Sequence, residues 1–472
     1  MSAPQPSEGV PATGAAAAGV PAPGAPAGTT AAPGAPAAGV PSAGPPGKHV
    51  SAGSHAVGAA TPAASPFTNL GAGLDRAVGR GLARATGAAL APYQSAVVRI
   101  GFSLTWLLFL LREWPHRAEL YGPDGPWSFG LAKRLIASNH AFSVLMWSDS
   151  RAWFEIVYAA AIAAGAMLLL GWRTRTASLL FMVGVLSLQN RSIFVGDGGD
   201  NVVHIMAIYL AFTRCGQVWS LDARRARRQA ASGATAGADP VGIALWTVLG
   251  GCLLAATLAD KLSNGWALIF WACWAGQAVW WAVRRGPAGE PRTVLDIIGN
   301  VVHNGAMLVI VAEVCLIYST AGWYKIQGSR WQDGTAIYYP LHLDDFTPWP
   351  ALSHALAGSG VMVMLITYGT VIVQVAFPFT LFNRRVKNVL LAGMMLEHAS
   401  IAILLGLPFF SLAMIAADAV FLPTGFLRWV ADRLVRLVRT RREPGGAVLH
   451  GQRPADPAGP ALAPPDAVTD PA

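Results

Sequence analysis

Ten apolar runs organise this chain, near 96–112, 152–171, 176–190, 201–219, 241–259, 265–283, 296–320, 357–381, 388–405 and 408–424. A helix needs roughly 20 apolar residues to cross a hydrocarbon layer about 30 Å thick, and most of these runs meet that length. Lipid as the surrounding solvent also accounts for the composition, 53% hydrophobic and only 12% charged. Water-soluble domains typically carry about 25% charged residues, which they need to cover a core of this size. The expectation is an all-α fold, a polytopic transmembrane helix bundle of about ten spans. The runs at 176–190 and 201–219 are short or broken by polar residues, so one of them also reads as re-entrant.

The charges follow the same map. Arg76, Arg80 and Arg84 precede the first run, Arg173 and Arg175 follow the second, and Arg224, Arg225, Arg227 and Arg228 follow the fourth. Arg284, Arg285 and Arg292 follow the sixth run, Arg384, Arg385 and Lys387 the eighth, and Arg428 through Arg442 the tenth. Every second loop is basic, as the positive-inside rule requires of a multi-pass cell-membrane protein with both termini cytoplasmic. The net charge of +9 therefore reads as topology, not as nucleic-acid binding. A transmembrane domain is expected over 93–427, and a basic interfacial helix over 428–442 that lies on the anionic inner leaflet. Residues 1–66 and 443–472 are Ala/Pro/Gly-rich and lack any apolar periodicity, so both tails are expected to be disordered. Cys215, Cys252, Cys273 and Cys315 sit in or beside apolar runs without a C-x-x-C pair, and read as small hydrophobes; no metal site is expected.

Three polar constellations interrupt this pattern. In FVGDGGDNVVH, Asp200 and His204 are four residues apart and share a helix face, with Asp197 and Asn201 beside them. The segment reads either as a polar site below the outer surface or as a glycine turn with an aspartate cap. In AGWYKIQGSRWQDGTAIYYP, Lys325 follows a long apolar run. It reads either as a lysine snorkelling to the headgroups or as a partly desolvated amine able to act as a general base. Trp323, Tyr324, Trp331, Tyr338, Tyr339 and Asp333 beside it form either an interfacial aromatic belt or the wall of a binding site. The third constellation lies within late apolar runs: His303, Asn304, Glu313, the pair Glu397–His398, and Asp418. Such groups are costly in lipid and face a bundle interior or a cavity.

The segments FVGDGGDNVVH, AGWYKIQGSRWQDGTAIYY and LEHASIAILLGLPFFSLAMIAAD resemble the horizontally transferred transmembrane (HTTM) domain, related to vitamin K-dependent gamma-carboxylase, in an actinobacterial type. The resemblance runs from about Tyr93 to Leu427, and its most specific part is Ala321, Gly322, Lys325, Trp331 and Gly334. The stretch at about 240–284 is additional to the common pattern. The resemblance implies that Lys325 stands where the carboxylase has the proposed base for its vitamin K hydroquinone, opening to the non-cytoplasmic side. Two readings follow. In one, a membrane enzyme acts on a quinone-like substrate with Lys325 as base, His204 and His398 supporting catalysis, and Asp197, Asp200, Asn201, Trp323, Tyr324, Trp331, Asp333 and Glu397 binding substrate. In the other, a non-enzymatic membrane factor helps a secreted peptide or protein mature or leave the cell, as bacterial relatives are thought to do.

Overall fold

A computed structural model of the chain describes residues 66–232, 239–287 and 289–442. It is all-helical, with no strand among the described residues. In chain order the α-helices are α1 (Pro66–Gly87), α2 (Pro92–Glu113), α3 (Arg117–Tyr121), α4 (Phe129–Asn139), α5 (Arg151–Leu170) and α6 (Thr174–Arg191). They continue with α7 (Gly198–Leu210), α8 (Leu221–Ser232), α9 (Pro240–Leu258), α10 (Asn264–Arg285) and α11 (Glu290–Gln327). The series closes with α12 (Ser329–Gln332), α13 (Pro350–Ala357), α14 (Gly360–Ala376), α15 (Arg384–Leu404), α16 (Pro408–Asp418) and α17 (Thr424–Arg442). The two tails expected to be disordered lie outside the described residues, Pro66 apart.

Seven helical segments are long and apolar enough to cross a membrane, or eight if the bent pair Pro408–Phe421 and Thr424–Leu437 counts as one span. The other expected runs fall on α6, α7 and α16, which have 18, 13 and 11 residues. At 1.5 Å per residue, α7 and α16 are about 20 and 16 Å long, short of the hydrocarbon thickness. Their short length is compatible with the environment, because they are enclosed. Val203, Met206, Ala207 and Leu210 of α7, and Ser411, Ala413 and Ala417 of α16, are almost fully buried.

Small residues allow this packing. A Cβ on Gly101 of α2 would sit 2.4 Å from the Cβ of Ala416, and one on Gly199 would sit 2.6 Å from the Cα of Phe410. Close backbone approach of this kind is how helices associate in lipid, where apolar burial gives no advantage over lipid tails. Buried arginines tie helix ends. Arg99 donates to the carbonyls of Leu168, Leu169 and Trp219, satisfying the open end of α5, which stops at Gly171 with φ 67°.

The basic ends meet at one end of the bundle. Arg173 pairs with Asp239, Arg214 with Asp296, and Arg428 lies over the ring of Tyr93. His303 accepts from the Arg214 amide through Nδ1 and meets the Leu90 carbonyl through Nε2; Asn300 and Asn304 donate to the last carbonyls of α1. Those three polar groups therefore act as helix-end ties. At the opposite end Arg117 pairs with Glu155, Arg191 donates to the carbonyls of Gly122 and Trp127, and Phe109 meets Phe409 edge-on. Beyond α16 the chain bends by 116° into α17, whose Phe426, Trp429, Leu434 and Leu437 are exposed, with Phe426 stacked on Trp429.

Candidate functional site

The longest helix, α11, is about 57 Å from end to end, so it extends well past a 30 Å hydrocarbon layer. Its C-terminal half carries Tyr318, Gly322 and Lys325, spaced by four and three residues and hence stacked on one face. Gly322 brings that face against α14: a Cβ there would lie 2.6 Å from a methyl of Val375. Next to this contact, Lys325 Nζ donates to Gln374 Oε1 at 2.8 Å, and Gln374 Nε2 donates to Glu397 Oε1 of α15 at 2.6 Å. Lys325 thus points inward to a glutamine that is 5% exposed, not outward to the headgroups. Its nitrogen also lies 5.2 Å from the centre of the Trp331 ring, within the range of a cation–π contact.

One residue along α15, His398 begins a second buried group. The Tyr318 hydroxyl is 2.9 Å from His398 Nε2 and donates to Asp418 Oδ1 at 2.9 Å. With its single proton given to Asp418, the phenol accepts from the imidazole, which places the ring proton on Nε2. His398 Nδ1 and Asp418 Oδ2 are both buried without a partner among the described residues. Helices α11, α14, α15 and α16 therefore bring a half-buried amine and carboxyl, Lys325 and Glu397, next to a buried carboxyl, imidazole, amide and phenol. The arrangement can take up or release a proton at Lys325 while Gln374, itself oriented by Glu397, holds the nitrogen.

His204 belongs to a different group. Its Nδ1 lies 2.8 Å from Gln189 Oε1 of α6, and Gln189 in turn donates to the backbone carbonyl of Asp200. Asp197 accepts from the amides of Gly199 and Asp200, and Asp200 accepts from the Asp197 amide, a reciprocal box that opens α7. The side chain of Asn201 is exposed. No hydrogen bond joins this group to Lys325. Phe410 lies between them, 5.6 Å ring to ring from His398 and 3.4 Å from a Cβ built on Gly198.

The aromatic residues divide. Trp331 faces Lys325, whereas Trp323 and Tyr324 are exposed by 61% and 75% on the outer face of α11. Asp333 accepts from the Thr335 hydroxyl and amide, which hold its carboxylate below the usual range with help from Arg330. Gly334, at φ 77°, turns this loop back so that Tyr368 of α14 donates to the Gln332 carbonyl.

Gln374 and Tyr318 were not among the residues singled out from sequence. A lone glutamine inside TVIVQVAF was the available signal, since an amide in an apolar run needs a partner. Tyr318 gave no such signal, because tyrosine is common at membrane boundaries. The described residues contain no group of three or more His, Cys, Asp or Glu able to hold a metal ion. No family model, curated protein or solved structure matches the chain.

Proposed function

We propose that the chain is a multi-pass cell-membrane protein with about ten helical segments in the membrane and both termini cytoplasmic, related to the HTTM domain and the vitamin K-dependent gamma-carboxylase. In this reading it is a membrane enzyme acting on a quinone-like, lipid-soluble substrate with Lys325 as general base. The observation that carries the reading is the inward hydrogen bond from Lys325 to Gln374, backed by Glu397. A lysine that only marked the membrane boundary would extend its nitrogen toward water.

The chemistry is a proton transfer. An unprotonated Lys325 takes the proton of a substrate hydroxyl: the O–H bond breaks, an N–H bond forms, and a phenolate-type anion remains. The new ammonium is held by Gln374 Oε1, faces Trp331, and is compensated by Glu397 one amide away. His398 and Tyr318 adjoin as a second proton-carrying pair. Asp197, Asp200 and His204 serve the fold around α7 more directly than the reacting group.

The test is made on the full chain in native-lipid particles, comparing wild type, Lys325→Ala and Lys325→Arg by mass spectrometry of co-purifying lipids. A quinone-type lipid enriched with wild type and lost from Lys325→Ala supports the reading. Arginine keeps the charge but cannot serve as a base, so Lys325→Arg should retain the protein level and lose turnover. Equal trace quinone in all three samples, or full turnover in Lys325→Arg, would overturn it. The alternative, a non-enzymatic factor for a secreted peptide or protein, would then account for the same buried groups as packing.

A further inference from the structure

We propose that the protein carries a structural site for one anionic phospholipid. Its acyl chains occupy the apolar cavity between α5–α6 and α9–α10, and its phosphate seats on Arg175, Arg214 and Arg284.

The cavity holds about 670 Å³, within the range of a well-formed ligand site. Leu180, Val183, Ile243, Leu249 and Phe270 are among the side chains that make its wall apolar. None of the residues of the Lys325 group lines it, so it is separate from the proposed reaction. The outer helices α9 and α10 bury 11% and 0% of their best spanning windows in the bundle, so the cavity is enclosed by helices that themselves face lipid. A chain that enters it comes from the bilayer, not from water.

At the basic end of the bundle the wall runs into an excess of positive charge. Arg175, next to the cavity-lining Thr176, lies 3.7 Å from the centre of the Trp280 ring. Arg284 and Arg214 approach the same indole at 4.9 and 5.6 Å. Trp281, the neighbour of Trp280, lines the cavity. Asp296 is the carboxylate that pairs with this cluster, 3.1 Å from Arg214 and 3.9 Å from Arg284, while Arg175 contacts the Trp280 ring. The carboxylates nearby are already engaged. Asp239 is held by both terminal nitrogens of Arg173, and Asp222 accepts from the amides of Arg173 and Thr174. The surplus charge therefore lies beside an apolar slot, with Arg284 half-exposed. A phosphate with two acyl chains complements both halves of that surface.

Native mass spectrometry of the full chain in detergent tests the proposal, with phosphatidylglycerol and phosphatidylcholine of identical chains added in equal amounts. One phosphatidylglycerol should be retained about tenfold over phosphatidylcholine. Glycerol phosphate, which has the headgroup charge without chains, should fail to displace it at large excess. Arg175→Gln with Arg284→Gln should erase the preference, and Ala278→Trp, which fills the cavity, should lower retention of both lipids. Equal retention of the two lipids by the wild-type protein overturns the proposal without reference to any variant's folding. Displacement by glycerol phosphate also overturns it, by showing a phosphate site that makes no use of chains.

Discussion

The spans that begin with α2 and α10 have similar mean hydropathy, 1.5 and 1.3, yet 61% of the first and none of the second is buried within the bundle. Hydropathy records which segments tolerate hydrocarbon. Which of them meet protein is decided by shape and by polar anchors. Along α2, Ala96, Gly101, Ser103 and Thr105 leave a narrow surface on which α5 and α16 can close. Helix α10 presents Trp266, Trp271, Trp274, Trp280 and Trp281 and satisfies itself mainly against α9. There Trp246 and Trp274 stack at 4.0 Å and exchange indole N–H donors to each other's backbone carbonyls. The result is an inner bundle with an outer hairpin leaning on it.

The most severe way to break the inner bundle is Arg99→Ala. The guanidinium is fully buried and donates to three carbonyls; its loss leaves those of Leu169 and Trp219 without this buried donor, while Leu168 keeps only the Gly171 amide. Hydrogen bonds to charged groups contribute about 1.5–3 kcal/mol each, so a loss of about 3 kcal/mol or more is expected on denaturation in mixed micelles. A loss below about 1 kcal/mol would show that α5 does not depend on this anchor.

A matched pair of glycines sharpens the contrast further. Gly101→Ala forces a methyl to within 2.4 Å of Ala416 and should cost about 1–3 kcal/mol as α2 and α16 separate. Gly276→Ala in α10 meets nothing within 4 Å and should be neutral or slightly stabilising, because alanine propagates a helix better by up to about 1 kcal/mol. The same denaturation assay reads both. Equal effects would mean that the hairpin is packed as tightly as the centre.

These differences define what the sequence could disclose. The apolar runs and the alternation of basic loops are one-dimensional signals, and the long helices α2, α5, α9, α10, α11, α14 and α15 appear where those signals place them. What hydropathy could not convey is which runs are enclosed. Helices α6 and α7 look like weak spans because the bundle, not lipid, surrounds them, and α16, expected as an ordinary span over 408–424, is an 11-residue enclosed helix. Helix α1 lay outside the expected elements, since its apolar positions Leu74, Val78 and Leu82 are few and the flanking Ala/Gly-rich sequence hides their spacing. At the candidate site, Lys325, Glu397 and His398 stood out as ionisable groups in or beside apolar runs. Their meeting through Gln374 and Tyr318 depends on how α11 crosses α14 and α15, which no local pattern encodes. The Asp200–His204 spacing and the aspartate cap were both legible, the cap being the reading that the Asp197–Asp200 box supports, but the tie to Gln189 came from packing.

The weakest expected effect concerns the tether between the two regions. Asp239 opens α9 and pairs with Arg173 at the entry of α6, through contacts of 2.6 and 2.8 Å. The Arg173 hydrogen bond, then the Gly242 amide and the remaining charge of Arg173, hold the Asp239 carboxyl at about 2, down from its ordinary 3.8. A depressed carboxyl contributes stability above its unfolded value and loses it as pH falls through the folded one. The contribution should therefore be full above about pH 4 and gone below about pH 2. Asp239 is partly open to solvent, so screening limits the effect of Asp239→Asn to about 1 kcal/mol or less. The stability difference between wild type and Asp239→Asn, read in the same denaturation assay at each pH, should shrink over that interval. A difference that persists unchanged at pH 2 would mean that it comes from hydrogen bonding or packing at Asp239, and that the charge of the ion pair contributes no measurable stability.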